Sequence, residues 1–157
     1  MKERLAMKYV LAVYDGSEVS YSSVLLAADV ASRNGVRLHV LSVVPLPKIG
    51  LDIATDSGIA ASIDSRQHLL EALKADFDAR GQYVHLALKV GNPIDEIIQY
   101  ATEFNVGQIV IGCAFKSLFD RWSARAFLHR LVRLAPCPVT LVKDVVAPRN
   151  GRLALVS

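Results

Sequence analysis

Cysteine is nearly absent from this chain. Cys113 and Cys137 are the only two in 157 residues, and they stand in no Cys-x-x-Cys or metal-ligand spacing. That excludes a disulfide framework; they fit small buried residues in a reduced, cytoplasmic protein. Long apolar runs are also missing, none approaching the ~18 residues of a membrane-spanning helix. The opening residues Met1 to Leu5 hold no apolar signal core, so a secreted fate is not expected. Aromatics make up 7% of the chain and do not interleave with the basic residues, which argues against a nucleic-acid surface. There is no base–nucleophile pair, metal-ligand cluster or phosphate-binding glycine run, so the chain is not expected to be an enzyme.

What is present is a globular composition, 52% hydrophobic and 21% charged, on a length that suits one domain with a buried core. The expected domain spans residues 1–144, followed by a tail over 145–157. The net charge of +3 hides an asymmetry. Residues 1–111 carry 10 Lys and Arg against 13 Asp and Glu, whereas residues 112–157 carry 8 against 2. The basic excess surrounds the stretch from Val106 to Val142, which reads as strand, loop, helix and strand. Arg121, Arg125, His129 and Arg133 recur there every fourth residue and form a stripe that is either solvated or faces an anionic or protein partner.

Periodicity sets the elements. Met7 to Tyr14 is an apolar, β-rich run that ends in Asp15-Gly16-Ser17, a turn with a helix cap. A helix follows over about Ser20 to Arg33, with Val24, Leu25, Ala28 and Ala31 inward, and Asn34-Gly35 stops it. Val36 to Val44 is a second strand, continuous in apolar residues as for a strand covered on both faces; His39 within it is expected to be a satisfied core histidine. The connection from Lys48 to Ala61 is long enough to be mobile or a lid. A second helix runs over about Ser62 to Arg80, with Leu69, Leu70, Leu73 and Phe77 on one face. Tyr83 to Val90 alternates as a half-exposed edge strand with His85 outward. Asn92-Pro93 caps a third helix, whose Asp95 and Glu96 suit its positive end. Gln108 to Ile111 is the fourth strand and ends in Gly112. A fourth helix over about Ser123 to Ala135 buries Phe127, Leu128, Leu131 and Leu134, and Val139 to Val142 is the fifth strand. Strands alternating with helices predict an α/β fold with a mostly parallel sheet and helices on both faces. Ligands in such sheets bind beyond the carboxyl ends of the strands, where Asp15 and Gly112 stand.

Five short motifs in register carry a resemblance. They are YVLAVYDGS from Tyr9 to Ser17, LHV ending at Val40, Gly91-Asn92-Pro93, IVIG ending at Gly112, and APCPV ending at Val139. Over residues 7–143 the chain resembles the universal stress protein family. That resemblance implies a single-domain three-layer sandwich whose five-stranded parallel sheet has the order 3-2-1-4-5. It also implies a homodimer joined through the fifth strand, Val139, Thr140, Leu141 and Val142. Members that bind ATP carry an aspartate after the first strand and a pattern G-x-x-G, nine residues, G-[ST], whose glycines let backbone N–H groups approach phosphates. Laid on this chain, Asp15 and Gly112 match, while Phe115 takes the second glycine position and Arg125 and Ala126 take the last two. The implied adenine-nucleotide site comprises Asp15, Val40, Ile111, Gly112, Arg125 and Ala126, with the phosphate cradle degraded.

Two readings follow. In the first the chain is a non-catalytic stress-response module without the usual ATP cradle, with no cofactor firmly implied. In the second it is a nucleotide sensor for ATP or AMP that uses Asp15, Gly112 and basic residues in place of the missing glycines. Arg125, expected at a helix start, would then meet a phosphate directly. Asp15 has an alternative role, that of ordering the Gly16-Ser17 turn.

Overall fold

The computed structural model describes residues 8–46, 56–113 and 118–143, with residues 56–57 and 118–122 described by their backbone alone. Phe115, Lys116, most of the connection after Lys48 and the tail lie outside the described residues. In chain order the elements are β1 (Tyr9–Val13), α1 (Glu18–Asn34), β2 (Arg37–Pro45), α2 (Asp56–Ala79), β3 (His85–Gly91), α3 (Pro93–Glu103), β4 (Val106–Cys113), α4 (Leu118–Leu134) and β5 (Val139–Lys143). The strands form one sheet in the order β3-β2-β1-β4-β5, and all four pairings are parallel. The expected α/β architecture and strand order are therefore observed.

Side-chain alternation along β1 divides the core in two. Val10 and Ala12 face a layer with Val24, Ala27, Leu70, Leu73 and Phe77 from α1 and α2. Leu11 faces the other layer, with Ile97, Tyr100 and Ala101 of α3 and Leu131 of α4. Because both faces are covered, β1 and β2 need apolar residues at consecutive positions, which is why they read as continuous runs. Among the described residues edge strand β3 pairs only with β2; it starts at His85 rather than Tyr83, and the expected alternation holds only in part, since Val84 is buried while Val90 is 37% exposed.

Local chemistry sets the element ends. Ser17 caps α1 by accepting from the Ser20 N–H, and Gly35 closes it in the left-handed conformation at φ 65°. Asn92 caps α3 by accepting from the Asp95 N–H at 3.2 Å, with Pro93 in the first turn.

Three expectations are corrected. Helix α2 begins at Asp56, so the end of the expected connection is helical. Helix α4 begins at Leu118 rather than near Ser123. Leu25 and Leu134 do not pack inward but are exposed, at 37% and 43%. The inner face of α1 is instead set by Ser20, Ser23, Val24, Ala27 and Ala31, which leaves Leu25 turned off it.

His39 is buried and its Nδ1 shares a hydrogen bond of 2.7 Å with the Tyr100 hydroxyl. Its ring packs against Tyr9, His85 and Phe104. It is a satisfied core histidine, as its sequence context predicts. His85 is exposed, yet its ring leans on His39 at 4.5 Å between centroids. Among the described residues no helix is long and apolar enough to cross a membrane.

Candidate functional site at the carboxyl ends of β1 and β4

The chain leaves β1 toward β2 on one side, while β4 lies on the other. This reversal opens a crevice beyond the carboxyl ends of β1 and β4. A cavity of about 280 Å³ occupies it, near the small end of the ~300–1,000 Å³ span of ligand sites. Its apolar wall includes Val13, Tyr14, Val43, Ile97, Ile111 and Phe127. Its polar wall is Asp15, Ser20 and Arg66.

Asp15 is fixed by the turn it begins. Gly16, at φ 90°, allows the tight turn. The Asp15 Oδ1 accepts from the Ser17 N–H at 2.9 Å and from the Ser20 hydroxyl at 2.8 Å. Asp15 also lines the cavity, so the turn-ordering role coexists with a carboxylate at the candidate site. Burial alone would raise this carboxyl. Hydrogen bonds from Ser17 and Ser20, together with the Arg66 charge, outweigh it and hold the group below its ordinary value. Asp15 is thus ionised near neutral pH and serves as a hydrogen-bond acceptor.

Gly112 lies at the carboxyl end of β4 and lines the same cavity. A Cβ there would come within 2.6 Å of the Val19 carbonyl oxygen and 2.6 Å of the Ser23 Oγ. Backbone cannot move aside cheaply, so the glycine is required by the close approach of α1 to β4. Its presence is explained by packing, independently of any phosphate.

The other sequence candidates are distributed differently. Ile111 is on the cavity wall. Val40 is fully buried in the sheet interior and does not line the cavity. Strand β2 continues to Pro45, so Val43 and Pro45 take the wall position. Arg125 and Ala126 are exposed and outside the cavity lining. With α4 starting at Leu118, Arg125 stands well inside the helix, away from the N-terminus at which the sequence reading put it. Arg125, His129 and Arg133 are exposed on α4. Phe127, expected only to pack, forms part of the wall.

Arg66 was missed. It reaches in from α2, donating from Nη1 to the Ser42 hydroxyl at 2.9 Å and to the Tyr14 carbonyl at 3.5 Å. A signal existed: Arg66 falls at helical spacing with Leu69, Leu70, Leu73 and Phe77, a cation on the apolar face.

The family model described as "Universal stress protein family" matches residues 7–143. A universal stress protein of Methanocaldococcus jannaschii is 26% identical over 144 residues, covering 90% of this chain and 84% of the relative. The solved universal stress protein UspA from Lactobacillus plantarum superposes with a TM-score of 0.72 at 20% identity, covering 88% of this chain and 99% of that one. A universal stress protein from Archaeoglobus fulgidus, solved in complex with dAMP, gives a TM-score of 0.63 at 23% identity, covering 87% and 98%. At these identities the two solved structures establish the fold.

Proposed function

The chain belongs to the universal stress protein family, and from that premise we propose that it is a non-catalytic, ligand-sensing stress-response module. It holds an adenosine-type ligand without a cradle for a triphosphate. The observation that carries this reading is the Asp15 carboxylate, ordered by Ser17 and Ser20 and held below its ordinary pKa, on the wall of a small, largely apolar cavity. A ribose offers vicinal hydroxyl donors to such an oxygen, and an adenine ring suits walls such as Val43, Ile97, Ile111 and Phe127. The dAMP complex of the Archaeoglobus fulgidus relative supports the same ligand class.

The phosphate end fits less well. Phe115, Arg125 and Ala126 stand where ATP-binding members carry glycine, glycine and a hydroxyl. The one matching glycine, Gly112, is already accounted for by α1. The absence of catalysis is supported by the site's own groups. Ser20 donates to a carboxylate that is too weak a base near neutrality to activate it, and no imidazole lines the cavity among the described residues.

Assembly as a homodimer through β5 is the companion proposal. Among the described residues β5 ends the sheet, pairs only with β4, and leaves Leu141 46% exposed. An apolar edge of this kind is a template for pairing with a second copy. The exposed Arg125, His129 and Arg133 face of α4 then remains for an anionic or protein partner.

Calorimetric titration of nucleotide-stripped protein with adenosine tests the ligand reading. Saturable heat at one site per chain is expected. Absence of heat, in protein that is folded by circular dichroism, would overturn it.

A further inference from the structure

Arg66 carries a charge that forms no ion pair with any described carboxylate. Its described hydrogen bonds run to two neutral acceptors, Ser42 Oγ and the Tyr14 carbonyl, both from Nη1. Among the described residues the ion pairs are Arg33–Asp29, His68–Asp64, Lys74–Asp78 and Arg80–Asp76, and Arg66 is in none of them. Its Nε and Nη2 donors have no described partner and are not buried without one. Arg66 is half-buried and anchored at one nitrogen, and among the described residues the rest of its fork meets no partner.

Its position gives that fork a use. Arg66 lines the cavity that holds Asp15 and also a second opening of about 430 Å³ beside it. The second opening is walled by Val44, Pro45 and one face of α2, where Ser62, Ser65 and Arg66 recur at helical spacing. Asp15 and Arg66 therefore share one cavity as opposite charges that do not pair with each other. A ligand that bridges them needs hydroxyl or amine donors at one end and a compact anion at the other. The planar fork of arginine suits a phosphate, and a pre-anchored fork loses little side-chain entropy on binding.

We propose that Arg66 is the anion-binding residue of this site, and that the ligand is a nucleoside monophosphate whose phosphate lies against α2 rather than beside the β4–α4 connection. The inference rests on the reading that an adenosine-type ligand occupies the cavity. It assigns the phosphate to a helix that the glycine motif does not involve, and it accounts for a site that keeps its aspartate while losing its glycines.

The test compares adenosine with adenosine 5′-monophosphate by calorimetry on the wild-type protein and on Arg66→Gln, Arg66→Lys and Arg125→Gln, each checked for folding by circular dichroism. The wild type is expected to bind the monophosphate at least about tenfold tighter than adenosine. Arg66→Gln is expected to bring that ratio to about one, Arg66→Lys to leave it between, and Arg125→Gln to leave it unchanged. A ratio that survives Arg66→Gln, or that is lost in Arg125→Gln instead, overturns the proposal. Adenosine binding with no gain from the phosphate in the wild type overturns it too, while leaving the nucleoside reading intact. Binding of neither ligand removes both.

Discussion

Lowering the pH from 7 to 4 is expected to take about 3 kcal/mol from the unfolding free energy through His39 alone. Burial in the sheet is the main cause that pulls this imidazole down from 6.5 to about 4, with smaller contributions from the His85 ring and the Arg37 charge. The groups packed around it are Tyr9, His85, Tyr100 and Phe104. None supplies a carboxylate that would welcome a proton. The unfolded chain takes up a proton as pH falls through about 6.5, and the folded chain does so only near 4. Between those values the unfolded state binds more protons, so stability falls as pH falls. Above 6.5 both states are neutral at this residue and the contribution is complete. Urea unfolding of wild type and His39→Gln at pH 7 and pH 4.5 isolates the effect. The difference between the two proteins is expected to shrink, or to change sign, on going to pH 4.5. An equal difference at both pH values would mean that His39 titrates normally.

Asp15→Asn is expected to weaken adenosine binding about 10–100-fold, equivalent to about 1.5–3 kcal/mol for a hydrogen bond to a charged group. Asparagine preserves the shape and keeps an oxygen to accept from Ser17 N–H and the Ser20 hydroxyl, so the turn and the cap of α1 survive. What it loses is the anionic character of the second oxygen, which becomes an amide donor and meets ribose hydroxyls poorly. Titration calorimetry on the two proteins measures the ratio directly. An unchanged affinity would reduce Asp15 to its turn-ordering role.

The division between what was legible and what was hidden has physical causes. β1 and β2 announce themselves because burial on both faces demands consecutive apolar residues such as Val10, Leu11 and Ala12. α3 does so because Asn92 and Pro93 act within their own turn. These are local rules, and the sheet order follows from them together with the family resemblance. The start of α4 was harder. Its sequence signal is Ser117 with Asp120 three positions on, a capping-box spacing that is easily lost among the basic residues around it. The missed start displaced Arg125 from mid-helix to a helix end, and the phosphate role read for it depended on that placement. Gly112 was read as an opening for ligand, but its reason lies in Val19, far away in sequence and brought near only by the sheet. Arg66 depends on Ser42 and Tyr14 in the same way. A cation on an apolar helix face is visible in sequence, but what it touches is decided by tertiary packing. Val40 shows the converse. Motif matching placed it at the ligand, while the length of β2 left it in the core.

The central claim is that the nucleoside end of the site is kept while the cradle for the outer phosphates is gone. The most direct measurement is the affinity of nucleotide-stripped wild-type protein for ATP set against that for AMP, by calorimetry at fixed ionic strength. If the cradle is absent as proposed, ATP binds no tighter than AMP, since its two further phosphates would meet no backbone donors. ATP binding tenfold or more tighter than AMP would contradict it, because that gain would require donors for the outer phosphates despite Phe115, Arg125 and Ala126.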